Sequence, residues 1–148
     1  MSKKDLEKQV IIAAREYGIG SVLFRNAIGE KLGVNVTDME CLGLLFFKGI
    51  STPTELSEYT GLSSGATTAM LDRLEKAKLI KRQPNPKDRR GTLIVVEKGS
   101  QKTVGPLFAA TRKAQDELLS SYSEEELKIL LDFFQRFTEV WEQGRKRL

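Results

Sequence analysis

Residues 61–91 read GLSSGATTAMLDRLEKAKLIKRQPNPKDRRG, and this stretch decides the architecture of the chain. Ser63 stands just after a glycine and ahead of Ala66, Met70, Leu74 and Ala77, whose helical spacing marks an inward face, so Ser63 reads as an N-cap. That assignment leaves Ser63, Ser64, Thr67 and Thr68 facing out near the helix start, a surface that is small, polar and uncharged. Two short extended runs follow, Leu79 to Gln83 and Thr92 to Val96. Pro84, Pro86 and Gly91 lie between them, which predicts a long, protruding hairpin over 84–91. From Lys76 to Gly91 seven basic residues face one acid, Asp88, and this excess of six is larger than the +4 of the whole chain. Most short charge runs are solvated loops, but this one sits on a hairpin directly after a hydroxyl-faced helix.

Upstream, Thr52 is an N-cap signal with Pro53 at the first helical position and Glu55 three residues after the cap, and the helix stops at Thr60-Gly61. An earlier capping box, Thr37-Asp38-Met39-Glu40, opens a helix that ends at Lys48-Gly49. Residues 5–31 carry Leu6, Val10, Ala13, Ala14 and Tyr17 at helical spacing, with Gly18, Gly20 and Gly29 weakening the second half and predicting a bend. Downstream, a helical pattern runs from about Ser100 to Ser121, interrupted at Gly105-Pro106, and Ser123 to Glu126 form a third capping box. The last helix has one apolar stripe in Leu127, Leu130, Leu131, Phe134, Phe137 and Trp141, and a second in Ile129, Phe133 and Val140. So much apolar circumference is covered either by the first helix or by another subunit, and the second stripe favours the subunit.

At 148 residues, 40% hydrophobic and 30% charged, the chain has material for one core and one unit. The apolar run from Cys41 to Phe47 is far below the roughly 18 residues that a membrane span needs, so no membrane partner is expected. The charged start, Ser2-Lys3-Lys4-Asp5, lacks the apolar block of a secretory signal, and a cytoplasmic location is expected. A single cysteine excludes an internal disulfide.

Two short helices around a Gly61 turn, a helix led by small hydroxyls and a basic hairpin after it have a mechanical reading as a winged helix-turn-helix. A recognition helix entering a groove about 12 Å wide needs short side chains that let its backbone approach, with hydroxyls for phosphates or base edges. Ser63, Ser64, Thr67 and Thr68 meet that need. A hairpin tip lying along phosphates or in the minor groove needs arginine or lysine, and Arg89, Arg90 and Lys87 supply them beside Asp88.

Leu62 to Arg82, then Asp88-Arg89-Arg90, a short apolar strand and Glu97-Lys98-Gly99 resemble the signature of the MarR (multiple antibiotic resistance regulator) family. The resemblance covers essentially the whole chain. It implies a mainly α fold with a small β-hairpin wing in a single unit over 1–148. Within that unit, 35–99 would be the winged-helix DNA-binding lobe, with dimerisation helices over 1–34 and 100–148. It also implies that Ser64, Thr67 and Thr68 face the groove and that Asp88, Arg89 and Arg90 form the wing. The family's mode of action would be a homodimer on a pseudo-palindromic operator, usually a repressor released by a small phenolic or other lipophilic effector. Ala69 stands where many members have a basic or polar residue. Lys78 replaces the usual helix-ending glycine, so the turn has to be made without the ordinary left-handed residue. The Val96 to Gly99 link lacks the usual capping threonine, leaving the cap to Ser100.

Cys41 lies among Met39, Leu42, Leu44, Leu45 and Phe46 and reads as a core thiol rather than a redox sensor. With no histidine, no metal site or other cofactor is expected. A pocket between the dimerisation helices and the DNA-binding lobe would admit a lipophilic effector, with Tyr17, Phe24 and Phe47 either lining it or, as is commoner for such aromatics, belonging to the core. No general acid-base histidine, phosphate-binding glycine loop or nucleophile elbow is present, which points away from an enzyme with catalytic residues. The competing reading is a winged helix used as a protein-interaction module, for which Lys87, Arg89 and Arg90 together would be unnecessary.

Overall fold

Each turn in the first half of the chain is built by a cap. The computed structural model describes residues 1–49 and 51–148. Ser2 and Asp5 form a capping box that opens α1, Lys3–Leu32, which continues unbroken past Gly18, Gly20 and Gly29. Gly33, at φ 72°, ends it in the left-handed conformation. Gly29 is there for space: a Cβ on it would meet the Val34 carbonyl oxygen at 2.7 Å, where the start of the next helix folds back. That helix, α2, is Val36–Lys48, and its cap is Asn35 rather than Thr37. The Asn35 Oδ1 accepts the Asp38 amide at 2.9 Å while the Asp38 Oδ2 accepts the Asn35 amide at 3.0 Å, so Thr37 lies inside the first turn. Thr52, Pro53 and Glu55 open α3, Pro53–Thr60, as the sequence implies, and Gly61 at φ 73° closes it.

Ser63 caps α4, Ser64–Lys76, with its Oγ accepting the Ala66 amide. The buried face is Thr67, Met70, Leu71 and Leu74, so the expected inward face is rotated: Ala66 is exposed and Leu71 is in the core. The helix ends in a Schellman motif, the Leu79 amide donating to the Leu74 carbonyl and the Lys78 amide to that of Glu75. Lys78 itself takes the left-handed residue, at φ 58°. Leu74 and Leu79, brought together by the motif, are both buried.

The hairpin that follows is tighter than the prolines suggest. Strand β1, Ile80–Asn85, pairs antiparallel with β2, Asp88–Val96, leaving only residues 86 and 87 between the strands. Pro84 is accommodated because a two-stranded sheet has only edge strands, so a residue without an amide proton can face away from the partner. The pairing steps from Pro84↔Thr92 to Asn85↔Asp88, which leaves Arg89, Arg90 and Gly91 as a bulge with no partners on β1. Ser51 adds a third, one-residue rung, exchanging both backbone bonds with Ile94. Leu42, Leu45, Leu56, Met70, Leu71, Leu74, Leu79, Ile80 and Ile94 form the fully buried core beneath α2, α3, α4 and the hairpin.

Helix α5 spans Ser100–Ser120 and runs through Pro106, which does not end it. Ser100 begins this helix without capping it: its Oγ is buried and has no hydrogen-bond partner. Two compact units, Met1–Gly105 and Pro106–Leu148, divide at that proline. In the second unit Ser123 and Glu126 box the start of α6, Glu124–Lys146. Along α6, Phe133 stacks on Phe137 at 5.2 Å and Phe137 meets Trp141 edge-on at 6.0 Å, yet no residue of the helix is buried. Along α1, in the first unit, Leu6, Val10, Ile12, Ile19 and Leu23 are exposed. No helix among the described residues is long and apolar enough to cross a membrane.

A lysine held left-handed costs about 1–2 kcal/mol of backbone strain that glycine does not carry. Lys78→Gly is expected to raise unfolding stability by roughly 0.5–1 kcal/mol after the added freedom of the unfolded chain is subtracted, seen as a higher urea midpoint at unchanged m-value.

Candidate nucleic-acid interface

The turn between α3 and α4 is locked locally. Ser57 Oγ donates to the Leu62 carbonyl at 2.6 Å and Thr60 Oγ1 to that of Leu56 at 2.7 Å, holding Leu62 and Ser63 in position for the cap. Beyond it, Ser64, Gly65, Ala66, Thr68 and Ala69 are exposed, a surface on which no side chain is longer than a threonine. Thr68 is there as expected, with its Oγ1 donating to the Ser64 carbonyl at 3.0 Å. Thr67 is not. It is 2% exposed, and its Oγ1 is buried with no hydrogen-bond partner, because it lies on the same side as Met70, Leu71 and Leu74. Gly65, Ala66 and Ala69 take its place on the outer surface; lacking polar side-chain atoms, they give no signal to a search for hydrogen-bonding side chains.

At the hairpin tip Lys87, Asp88, Arg89 and Arg90 are all exposed. Asp88 holds the loop through the backbone, its Oδ1 accepting the Arg90 amide at 3.0 Å, and Asn85 does the same for the Lys87 amide at 3.0 Å. Among the described residues, the side chains of Lys87, Arg89 and Arg90 enter no ion pair. The bulge therefore carries two consecutive exposed arginines on a backbone held by the Asp88 bond.

Ion pairs that the sequence does not reveal tie these parts together. Arg82 on β1 donates to Asp72 at 2.6 Å and to Glu75 at 2.5 Å, and its amide also donates to Glu75, joining the wing to α4. Burial works against the Arg82 charge, but the hydrogen bonds to Asp72 and Glu75 outweigh it and raise its pKa. On the other flank Arg73 makes a two-bond fork to Asp38 of α2, which raises its pKa chiefly through those hydrogen bonds. Cys41 is fully buried, and burial, assisted by the nearby Asp38 charge, pushes its thiol up to about 12, so it stays protonated at neutral pH.

A two-helix turn, a second helix with a shallow outer face and an arginine-tipped hairpin directly behind it define a winged helix-turn-helix protein of the DNA-binding class. The MarR family model matches residues 34–92. The chain is 36% identical over 147 residues to the uncharacterized HTH-type transcriptional regulator YcgE of Bacillus subtilis, an alignment covering 99% of this chain and 96% of that one. The HTH-type transcriptional regulator MhqR of the same organism is 26% identical over 136 residues, 92% of each chain. Among solved structures, RV1404 from Mycobacterium tuberculosis superposes with a TM-score of 0.68 at 24% identity, covering 94% of both chains. A mutant MarR from Escherichia coli, complexed with operator DNA, superposes with a TM-score of 0.59 at 20% identity, covering 93% of this chain and 99% of that one. The chain belongs to the MarR family of helix-turn-helix transcriptional regulators.

Because an orphaned buried hydroxyl costs about 1–3 kcal/mol, Thr67→Val, which keeps the shape and removes the hydroxyl, is expected to raise stability by about 1 kcal/mol. Thermal or urea unfolding checks the stability, and DNA preference measured on the same variant should be unchanged.

Proposed function

We propose that this regulator binds a pseudo-palindromic operator as a homodimer, represses transcription from it, and is released by a small lipophilic effector. The observation that carries the reading is the pairing of a shallow α4 surface at Ser64, Gly65, Thr68 and Ala69 with an unpaired Arg89-Arg90 tip on the next element. The short side chains let the helix backbone approach base edges, and the arginines supply the phosphate or minor-groove contact. In this reading Ser63, Ser64, Thr68, Lys87, Arg89 and Arg90 meet DNA, with Asp88 shaping the tip, and residues 35–99 form the DNA-binding lobe.

The dimer is supported by apolar residues on α1 and α6 that their own units leave exposed. Ile12, Ile19 and Leu23 on α1 and Ile129 and Trp141 on α6 are of this kind, Trp141 by 63%. Surfaces of this kind in a regulator call for a second copy, which assigns 1–34 and 100–148 to dimerisation. Two lobes would then read half-sites about 34–36 Å apart, one helical turn of DNA. For the effector, a cavity of about 400 Å³ opens between the end of α2 and the base of the wing, lined by Leu45, Phe46, Val95, Val96, Lys98 and Gln101 among others. Its volume suits a small ligand. Its aromatic is Phe46, whereas Phe47 is 92% exposed.

Selection from a random duplex library at two salt concentrations tests the reading: an enriched palindrome whose binding weakens steeply with salt is expected. Weak, motif-free binding at both salts would replace it with the protein-interaction reading. Arg90→Ala is expected to weaken binding to all duplexes alike and to lower the slope of log K against log salt by about one. Anisotropy titrations of operator and unrelated DNA read both quantities.

A further inference from the structure

Consecutive residues of α4 reach in opposite directions, Asp72 to the wing and Arg73 to α2. The Arg73 pair is the more confined. Asp38 has no exposure, and both its oxygens are in use: Oδ1 accepts Arg73 Nη2 at 2.7 Å, and Oδ2 accepts Arg73 Nε at 2.9 Å together with the Asn35 amide at 3.0 Å. One carboxylate is thus both the capping-box acid of α2 and the anchor of α4. Apart from the Arg82 link, which ties α4 to the wing rather than to the core, α4 is attached by Thr67, Met70, Leu71 and Leu74, and apolar burial has no preferred direction. A two-bond fork does have one, because the guanidinium and carboxylate planes must align. Ala66, Ala69 and Arg73 share a stripe of the helix, and the two alanines are too short to compensate for a helix seated at the wrong angle.

We propose that Asp38, acting through Arg73, is a positioning residue that sets the rotation of α4 and thereby which DNA sequence the protein prefers. The proposal rests on the DNA-binding reading above.

The experiment compares the full-length wild type with Asp38→Asn, Arg73→Gln, the double variant and Arg73→Lys. Each protein is assayed for melting temperature, for the motif enriched from random duplexes, and for affinity at several salt concentrations on operator and unrelated DNA. Each single variant and the double variant are expected to lose about tenfold in operator affinity, the losses failing to add because one linkage is broken in all three. The enriched motif should relax, while affinity for unrelated DNA and the salt slope stay as in the wild type. Arg73→Lys, which keeps the charge and loses the fork, should behave like Arg73→Gln. Lower melting temperatures with an unchanged motif would reduce the pair to a structural contact and overturn the proposal. Loss of affinity for every duplex in Arg73→Gln, with a salt slope smaller by about one and rescue by Arg73→Lys, would make Arg73 a direct phosphate contact and overturn it as well. Should Asp38→Asn fail to fold, the two Arg73 variants decide between the same outcomes. A wild type that enriches no motif removes the DNA-binding reading, and the positioning role with it.

Discussion

A helix whose leading half presents only short side chains on its outer surface has to be held from its inner face, its ends and its flanks. Helix α4 is under that constraint, since Ser64, Gly65, Ala66, Thr68 and Ala69 offer nothing that could anchor it. The inner face supplies Met70, Leu71 and Leu74, and it also takes in Thr67 with its unpaired hydroxyl. The ends are the Ser63 cap and a Schellman motif for which Lys78 accepts a left-handed backbone. The flanks are the Arg73–Asp38 and Arg82–Asp72–Glu75 ion pairs. An orphan hydroxyl and a strained lysine are both unfavourable, and both lie where the placement of α4 leaves no alternative.

The wing extends the same logic. A two-stranded sheet has little stability of its own, so the hairpin depends on what joins it to the lobe. Ile80 and Ile94 enter the core, Ser51 adds two backbone bonds at Ile94, and Arg82 connects β1 to α4. With its base held, the strand pairing can be interrupted at the tip, where Arg89, Arg90 and Gly91 leave the ladder. The rigid and the irregular parts of the wing therefore have separate causes: packing at the base, and Asx-type side-chain-to-backbone bonds from Asn85 and Asp88 at the tip.

Most caps are legible in the sequence because the partners of a capping interaction lie within a few residues. Thr52-Pro53-Glu55, Ser63, and Ser123 with Glu126 are caps whose donors and acceptors are three positions apart, and all three open helices as their spacing implies. The Thr37 box is not the one that forms: α1 ends at Gly33, and Asn35 with Asp38 caps α2 two residues earlier than Thr37 would. Pro84 and Pro86 suggested a wide loop, since proline opposes strands in general, but an edge strand tolerates it. Gly105-Pro106 suggests an interruption by the ordinary helix-breaking rule, yet α5 runs continuously through it.

Within the candidate site, the hydroxyl and arginine positions were legible as residue types, whereas their orientation was not. The inward face of α4 was read from Ala66, Met70 and Leu74, and a rotation of about one residue exchanges Ala66 for Thr67, because alanine and threonine are both small enough for either side. Asp38 and Arg73 are 35 positions apart, and nothing in either segment names the other. The sequence by itself determined the order of helices, the caps at Thr52, Ser63 and Ser123, the wing and its charge, since these follow from hydrogen bonds and steric preferences spanning a few residues. Only the tertiary structure decided which side of α4 faces out, which guanidinium groups are already committed and which are free. Those outcomes depend on where distant segments pack and on the need of a buried carboxylate for partners, wherever in the chain they lie.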